Sequence, residues 1–365
     1  MTQPPLSQRQ KTYLHLSTRL AQMDTAQLVT LFNDPSPMIS WGKTCTIQVG
    51  QSKVFVKRIP VTEIEFANPF STQNLYDLPM FYNYGVGSVG FGVFRELVTH
   101  IKTTNWVLEG AIENFPLMYH SRLVPYTGPH EAVDMERHQR YVEYWGGDAR
   151  IGQYMLDRAN APYEALLFLE HLPFTASPWL LENPKKVGHI LEDMFATIAF
   201  LRKNGIIHLD LHLSNVMTDG QRAYLTDFGL ALDKSFALSP AESAFLKRNT
   251  LYDYGELIRS LEYSIYQKYR QLSDEDKTRL LDAYGIGAEV GIEDRILIFL
   301  THLEAVQARG LLKMDPQLVR TLLKYRPIIT LMHNFYLGMR TNNRKDTPYK
   351  PAVLRRLLRE AGVLA

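Results

Sequence analysis

Four polar residues that could act together fall in one short stretch. His208, Asp210 and Asn215 form the pattern H-x-D-x-x-x-x-N, and Asp227 heads the tripeptide Asp227-Phe228-Gly229. Two carboxylates and a carboxamide at one mouth suit the transfer of a phosphoryl group to a hydroxyl, a reaction that rests on positioning and charge neutralisation. One carboxylate can orient the hydroxyl and take its proton, while the other carboxylate and the amide oxygen can hold a divalent cation. The run NVM, a Thr218-Asp219-Gly220 turn and the run RAYLT predict a β-hairpin. That hairpin would return Asp227 to the mouth already holding Asp210 and Asn215. An Asp-Phe-Gly alone is common by chance, and a His-x-Asp alone is ordinarily a loop. The force lies in both together, in this order, behind a long amphipathic helix.

That helix spans about residues 186–204, with Ile190, Leu191, Met194, Phe195, Ile198 and Leu201 on one face and Gly205 as its stop. Nearer the N-terminus, TCTIQV, a Gly50-Gln51-Ser52 turn and KVFVKRI read as paired strands. Alternation puts Phe55, Lys57 and Ile59 on one face of the second strand and Val54, Val56 and Arg58 on the other. A lysine between apolar neighbours is by itself most simply a surface lysine on an edge strand. A helix over about 93–104 carries Glu96, Val98 and His100, and strands follow at 115–126 and 163–173.

Taken together, the 205–229 stretch resembles the catalytic loop and metal-binding motif of the protein-kinase-like phosphotransferases, closely over residues 186–230 and less so over 44–60 and 163–185. The resemblance implies an α+β, bilobal protein-kinase-like fold, with a small β-rich N-lobe carrying helical insertions and a larger, mainly helical C-lobe. It implies ATP and Mg²⁺ as cofactors. Asp210 would be the catalytic carboxylate, Asn215 and Asp227 the metal ligands, and Lys57, paired with Glu96, the contact to the α- and β-phosphates. Glu63 and Glu65 lie too close to the lysine strand for that pairing unless a short helix forms there. Ser40-Trp41-Gly42-Lys43 stands where the family's glycine-rich lid is found, so Gly42 and Lys43 are candidate cofactor contacts. Leu169 falls at the gatekeeper position, the backbones of Glu170 and Leu172 would meet the adenine edge, and Met217 falls at the adenine floor.

Departures from the family bear on the acceptor. Leu209 replaces the arginine that often precedes the catalytic aspartate, so control through a phosphorylated segment and that arginine is not expected. His212 stands where Ser/Thr protein kinases carry a lysine, and Asp210-Leu211-His212 is similar to the aminoglycoside and choline kinase branch. Leu225-Thr226-Asp227-Phe228-Gly229-Leu230-Ala231 pulls toward protein kinases, whereas their Ala-Pro-Glu element is absent. The reading is an atypical, bacterial-type kinase acting on protein Ser/Thr. Its alternatives are a small-molecule kinase, a nucleotide-binding pseudokinase scaffold, and transfer of AMP in place of phosphate.

The remaining segments fill out the lobes. Residues 1–36 read as an N-terminal helical extension with Asp24 as an N-cap, 37–172 as the N-lobe with insertions at 60–92 and 131–161, and 173–365 as the C-lobe with a helical C-terminal extension. Gly85, Gly87 and Gly90 form a G-x-G-x-x-G, read first as a close-packed or flexible lead into the helix and second as a displaced phosphate loop. Asp253 reads equally as a helix N-cap or as a buried brace for the catalytic loop. Residues 131–161 read as inserted helices, and 273–338 as helical with breaks at Gly285 and Gly310.

Composition sets outer bounds. The chain has 365 residues, long enough for two lobes with cores, and a formal net charge of +2, so it is no evident polyanion binder. Its one cysteine, Cys45, can form no internal disulfide. No membrane-spanning run or signal-peptide core is apparent, which predicts a cytoplasmic location. Residues 340–360 hold seven Lys/Arg against two Asp/Glu, a run read as a solvated face with neither nucleic acid nor membrane as partner. The expected partners are ATP and a protein or small-molecule hydroxyl acceptor.

Overall fold

The alternating residue types of 44–60 settle the first pair of elements. β1 (Lys43–Val49) and β2 (Ser52–Val61) pair antiparallel across a tight turn in which Gly50 takes φ +63°, a left-handed value that glycine adopts at little cost. The structure, a computed structural model, describes residues 6–32 and 43–364. Of the suggested lid, Ser40, Trp41 and Gly42 lie outside the described residues, and only the backbone of Lys43 is described. β2 pairs with β4 (Tyr163–Glu170), and β4 with β3 (Met118–Pro125), giving an antiparallel sheet in the order β1-β2-β4-β3.

The two faces of this sheet part as the pleat requires. Val54, Val56, Leu166 and Phe168 lie in a core shared with Leu16 and Leu20 of α1 (Leu6–Ala21) and Leu28 of α2 (Thr25–Thr30). Asp24 caps α2, exchanging hydrogen bonds with Gln27. On the other face Ile59, Ala165, Leu167 and Leu169 form a second cluster with Val93, Phe94 and Leu97 of α4 (Val93–Leu108). Lys57 projects from this second face, so β2 hands its lysine toward α4. Between β2 and α4 the chain makes the short helix α3 (Glu63–Ala67) and a single 3-10 turn at Met80–Asn83. The insertion at 131–161 holds α5 (Met135–Tyr144) and α6 (Ala149–Ala159), capped by Asp134 and Asp148.

Beyond Glu170 the chain is mainly helical. β5 (Phe174–Thr175) leads into α7 (Ala176–Glu182), then α8 (Val187–Asn204) buries Ile190, Leu191, Met194, Ile198 and Leu201 in one stripe. It ends at Gly205 with φ +81°. The short strands β6 (Ile206–Ile207), β7 (Val216–Thr218), β8 (Ala223–Leu225) and β9 (Leu232–Asp233) pair as β5-β7-β8 and β6-β9. Eight-residue α10 (Tyr252–Arg259) is buried throughout, preceded by α9 (Pro240–Arg248) and followed by α11 (Tyr263–Arg270), α12 (Asp274–Asp282), α13 (Ile292–Thr301) and α14 (Leu303–Ala308). The long α15 (Pro316–Thr341) packs on α10, and α16 (Pro351–Glu360) buries Leu354 and Leu358. Among the described residues no helix is long and apolar enough to cross a membrane. The fold is α+β: a small antiparallel-sheet lobe and a larger helical lobe.

Candidate active site

The loop between β6 and β7 is held by a carboxylate beneath it. Asp253, in the first turn of α10, accepts the amides of His208 and Leu209, both at 2.8 Å. Of its two expected readings the brace is the one realised, since the N-cap position of α10 belongs to Leu251. Burial pushes the Asp253 carboxyl up to about 6, against the pull of those two amides. The bend places Leu209 at φ +67°, a left-handed value for a branched residue, of a kind that costs on the order of 1–3 kcal/mol.

His208 is fully buried and neutral. Its Nδ1 accepts the Asp210 amide at 3.3 Å, so Nε2 carries the proton and donates to Thr226 O at 2.9 Å. Burial holds its pKa down to about 4. This ring ties the loop to the strand that delivers Asp227. Asn215 Nδ2 donates to Asp210 O and Oδ2, each at 2.9 Å, which fixes the carboxylate and leaves the carboxamide oxygen for another partner. His212 Nε2 stands 3.6 Å from Asp210 Oδ1. Burial raises the Asp210 carboxyl above its ordinary value, with His212 opposing.

Across the cleft the hairpin β7–β8 returns the chain to Asp227, at φ +62°. Lys57 Nζ donates to Glu96 Oε1 at 2.6 Å and to Asp227 Oδ1 at 2.9 Å. Burial opposes the lysine charge, but Asp227 and Glu96 outweigh it and hold Lys57 above its ordinary value. Burial likewise opposes the Asp227 charge, yet Lys57 keeps that carboxyl well below the usual range while its side chain stays 45% exposed. Glu96 is more deeply buried, and burial raises its carboxyl in spite of Lys57. Phe228 is fully buried, edge-on to the rings of His100 and His208 at 4.9 and 5.3 Å.

These residues line a cleft of about 400 Å³ that also takes in Leu169, Glu170, Leu172, Met217 and Asn215. The Glu170 side chain faces away from any ligand role. It is ion-paired with Arg9 at 2.7 Å and accepts the Leu117 amide at 3.1 Å, and its own amide is engaged by Leu117 O at 2.8 Å. The N-terminal helix α1 thus steadies the end of β4.

The short helix α3 does form, but Glu65 does not go to Lys57. Its carboxylate accepts the amides of Thr62 and Val93, both at 2.9 Å, and so sits at the N-terminus of α4. An anion position there is already filled by the chain itself, so the end of α4 is not open to a phosphate, although Ser88, Val89, Gly90 and Gly92 line the cleft. The segment is instead packed hard against the site. A Cβ at Gly85 would lie 2.0 Å from Asp210 Oδ1, and one at Gly90, where φ is +101°, 2.6 Å from Gly229 O. The G-x-G-x-x-G spacing was the visible signal of this close approach. Arg158 of α6 also lines the cleft, and nothing in the sequence marked it.

No family model matches the chain. Over 82 residues it is 35% identical to a probable serine/threonine-protein kinase of Dictyostelium discoideum, an alignment covering 20% of this chain and 15% of that protein. Over 77 residues it is 32% identical to a probable serine/threonine-protein kinase of Fowlpox virus (strain NVSL), covering 20% of this chain and 26% of that protein. The chain therefore spans only a minor part of either relative. Among solved structures, WaaP in complex with acyl carrier protein aligns over 80% of this chain and 94% of that one, at 14% identity and a TM-score of 0.36. Both partial matches are to proteins named as protein kinases, and each is confined to about a fifth of this chain.

Proposed function

We propose that the protein is an ATP- and Mg²⁺-dependent phosphotransferase that moves the γ-phosphoryl group to a hydroxyl. The observation that carries this is the Lys57 ammonium, bonded at once to Glu96 and Asp227, in the same cleft as the Asp210–Asn215 pair. Asp210 would orient the acceptor hydroxyl and take its proton, and its raised carboxyl makes it a better proton acceptor than an ordinary carboxylate. Lys57, positioned by Glu96, would meet the phosphates. The Glu170 carbonyl and the Leu172 amide would receive the adenine edge, with Leu169 and Met217 on either side.

The donor set fits Mg²⁺ brought in on phosphates. Such an ion needs only one or two protein oxygens, and Asp227 is ionised and open to the cleft, with the Asn215 carboxamide oxygen as the second. Among the described residues no group of three or more His, Cys, Asp or Glu makes an all-protein cage. Bound Mg²⁺ would supply charge neutralisation on the phosphates.

Motif and relatives lean to a protein Ser/Thr acceptor, in an atypical kinase. The packing favours a second reading, a small-molecule hydroxyl. Gly85 covers the Asp210 carboxylate from outside, on a segment tied to the C-lobe by Tyr84, so the open rim that a peptide needs is narrowed. The deciding experiment follows label from γ-tagged ATP with Mg²⁺ into protein and small-molecule fractions of a cell extract, for wild type and Asp210→Asn. Label in a small product that the variant fails to form is the expected result. Label in protein returns the acceptor to Ser/Thr, label only from α-tagged ATP points to AMP transfer, and ATP binding with no transfer leaves a scaffold.

A further inference from the structure

Among the described residues four arginines are at least nine-tenths buried: Arg9, Arg95, Arg158 and Arg259. A guanidinium stays charged in a protein interior, so each of these needs an anion to offset its lost hydration. Three have one. Arg9 meets Glu170 at 2.7 Å, Arg95 meets Glu242 at 2.6 Å, and Arg259 meets Glu262 at 2.8 Å and Glu256 closer still. Arg158 makes no ion pair with a carboxylate among the described residues. Its guanidinium bonds the Tyr154 hydroxyl at 3.2 Å and lies 5.4 Å from that ring's centre. It is also the one of the four that lines the cleft with Lys57, Glu96 and Gly92 without a carboxylate of its own.

The charges of the cleft sharpen the point. Lys57 is bonded to two carboxylates, Glu96 and Asp227, and Asp210 adds a third. A polyphosphate entering there meets more negative than positive charge, and the helix end beside it, at α4, is filled by Glu65. We propose that Arg158, delivered by the inserted helix α6, binds the β,γ end of the nucleotide's phosphate chain. The inference rests on the nucleotide reading given above and adds a contact that the kinase-like motifs do not contain. It gives the 131–161 insertion a task inside the cleft, as well as on its surface. A planar fork of donors is suited to a phosphate's paired oxygens.

The test uses the full chain, with equilibrium binding of Mg·ATP, AMP and adenosine to wild type, Arg158→Met and Arg158→Lys, and the melting temperature of each without ligand. Loss of a charge-assisted contact should weaken ATP about 10- to 100-fold in Arg158→Met, with adenosine and AMP unchanged and an intermediate loss in Arg158→Lys. The unliganded Arg158→Met protein should melt close to wild type, because Arg158 makes no direct ion pair and is offset only at a distance by Glu65 and Glu96. Unchanged ATP affinity, a parallel loss for adenosine, or failure of Arg158→Met to fold each overturns the inference, since each makes Arg158 structural or idle. Wild type that binds ATP while Arg158→Met binds it equally well ends only this inference. Wild type that binds no nucleotide ends the proposed function with it.

Discussion

Gly85 sets how much room Asp210 has. A methyl group at that position would stand 2.0 Å from Oδ1, and the segment cannot simply lift away, because Tyr84 on one side and the Val86 carbonyl on the other are both bonded. Gly85→Ala should therefore displace the carboxylate by a good part of an ångström, enough to lower transfer about 100-fold while leaving ATP affinity as it was; transfer at the wild-type rate would mean that the segment yields. His100 offers a stability test. It is buried with neither ring nitrogen hydrogen-bonded, and burial holds its pKa down to about 3. Since the folded value is depressed, the neutral ring's contribution is full above the unfolded pKa of about 6.5 and is lost as pH falls toward 3. Relative to wild type, His100→Phe should gain about 2 kcal/mol between about pH 6.5 and 5 in urea unfolding. Parallel stability curves for the two proteins would count against this. What the sequence showed at this scale was the set whose spacing chemistry dictates: His208, Asp210, Asn215 and Asp227, with Lys57 and Glu96 following once strand and helix were read. Arg158 was hidden, and Asp253 was left open between cap and brace, because each depends on which distant backbone packs against it.

At the scale of elements, α4 is the piece that must be right, since it carries Glu96. Its outer face is fastened to the segment that follows Asp227-Phe228-Gly229. Arg95 pairs with Glu242 of α9 at 2.6 Å, both side chains 1% exposed, and also donates to Thr72 O at 2.9 Å. This pair adds to the apolar cluster and the Glu65 contact that hold α4 in place. Glu242→Gln would keep the cap that Glu242 gives Ser239 but strand the guanidinium, at a cost of about 3–5 kcal/mol. The double variant Arg95→Met/Glu242→Leu should recover most of that, because apolar groups of like volume often replace a buried pair without loss. A cost below about 1 kcal/mol for Glu242→Gln would show that water reaches the pair. Elements themselves were legible wherever a period of two or 3.6 ran long enough, as in β2, α4 and α8. Their partners were not, since no local pattern announces that the polar face of α4 meets α9.

For the molecule as a whole, the question is what joins the lobes besides the chain that runs from β4 to β5. The segment 84–92 does so. Tyr84 is buried among Phe245 of α9, Tyr252 of α10, Phe335 of α15 and Tyr349 of the tail, and its hydroxyl donates to Asn249 Oδ1 at 3.1 Å. Two residues on, Tyr144 and Tyr141 of α5 donate to the carbonyls of Val86 and Gly87. Lys345 then lies over the Tyr144 ring, 3.4 Å from its centre, and is only 4% exposed. The basic run at 340–360, read from sequence as a solvated face, is thus partly an inner surface that helps clamp the insertion. Tyr84→Ala removes the anchor, a loss on the order of 3–5 kcal/mol for a large buried aromatic, and most of that loss should fall on the segment that Tyr84 ties down. The expected outcome is protease cutting between residues 85 and 92 with the lobes still folded, together with a rise of at least about 10-fold in the acceptor's KM and little change for ATP. The effect on ATP should be the smaller one because Lys57, Asn215 and Asp227 hang on other elements, although Ser88, Val89, Gly90 and Gly92 also line the cleft. If acceptor KM stays put while the segment is cut freely, then 84–92 is a strut between lobes and the acceptor approaches Asp210 by another route, which would restore the open rim that a protein Ser/Thr acceptor requires.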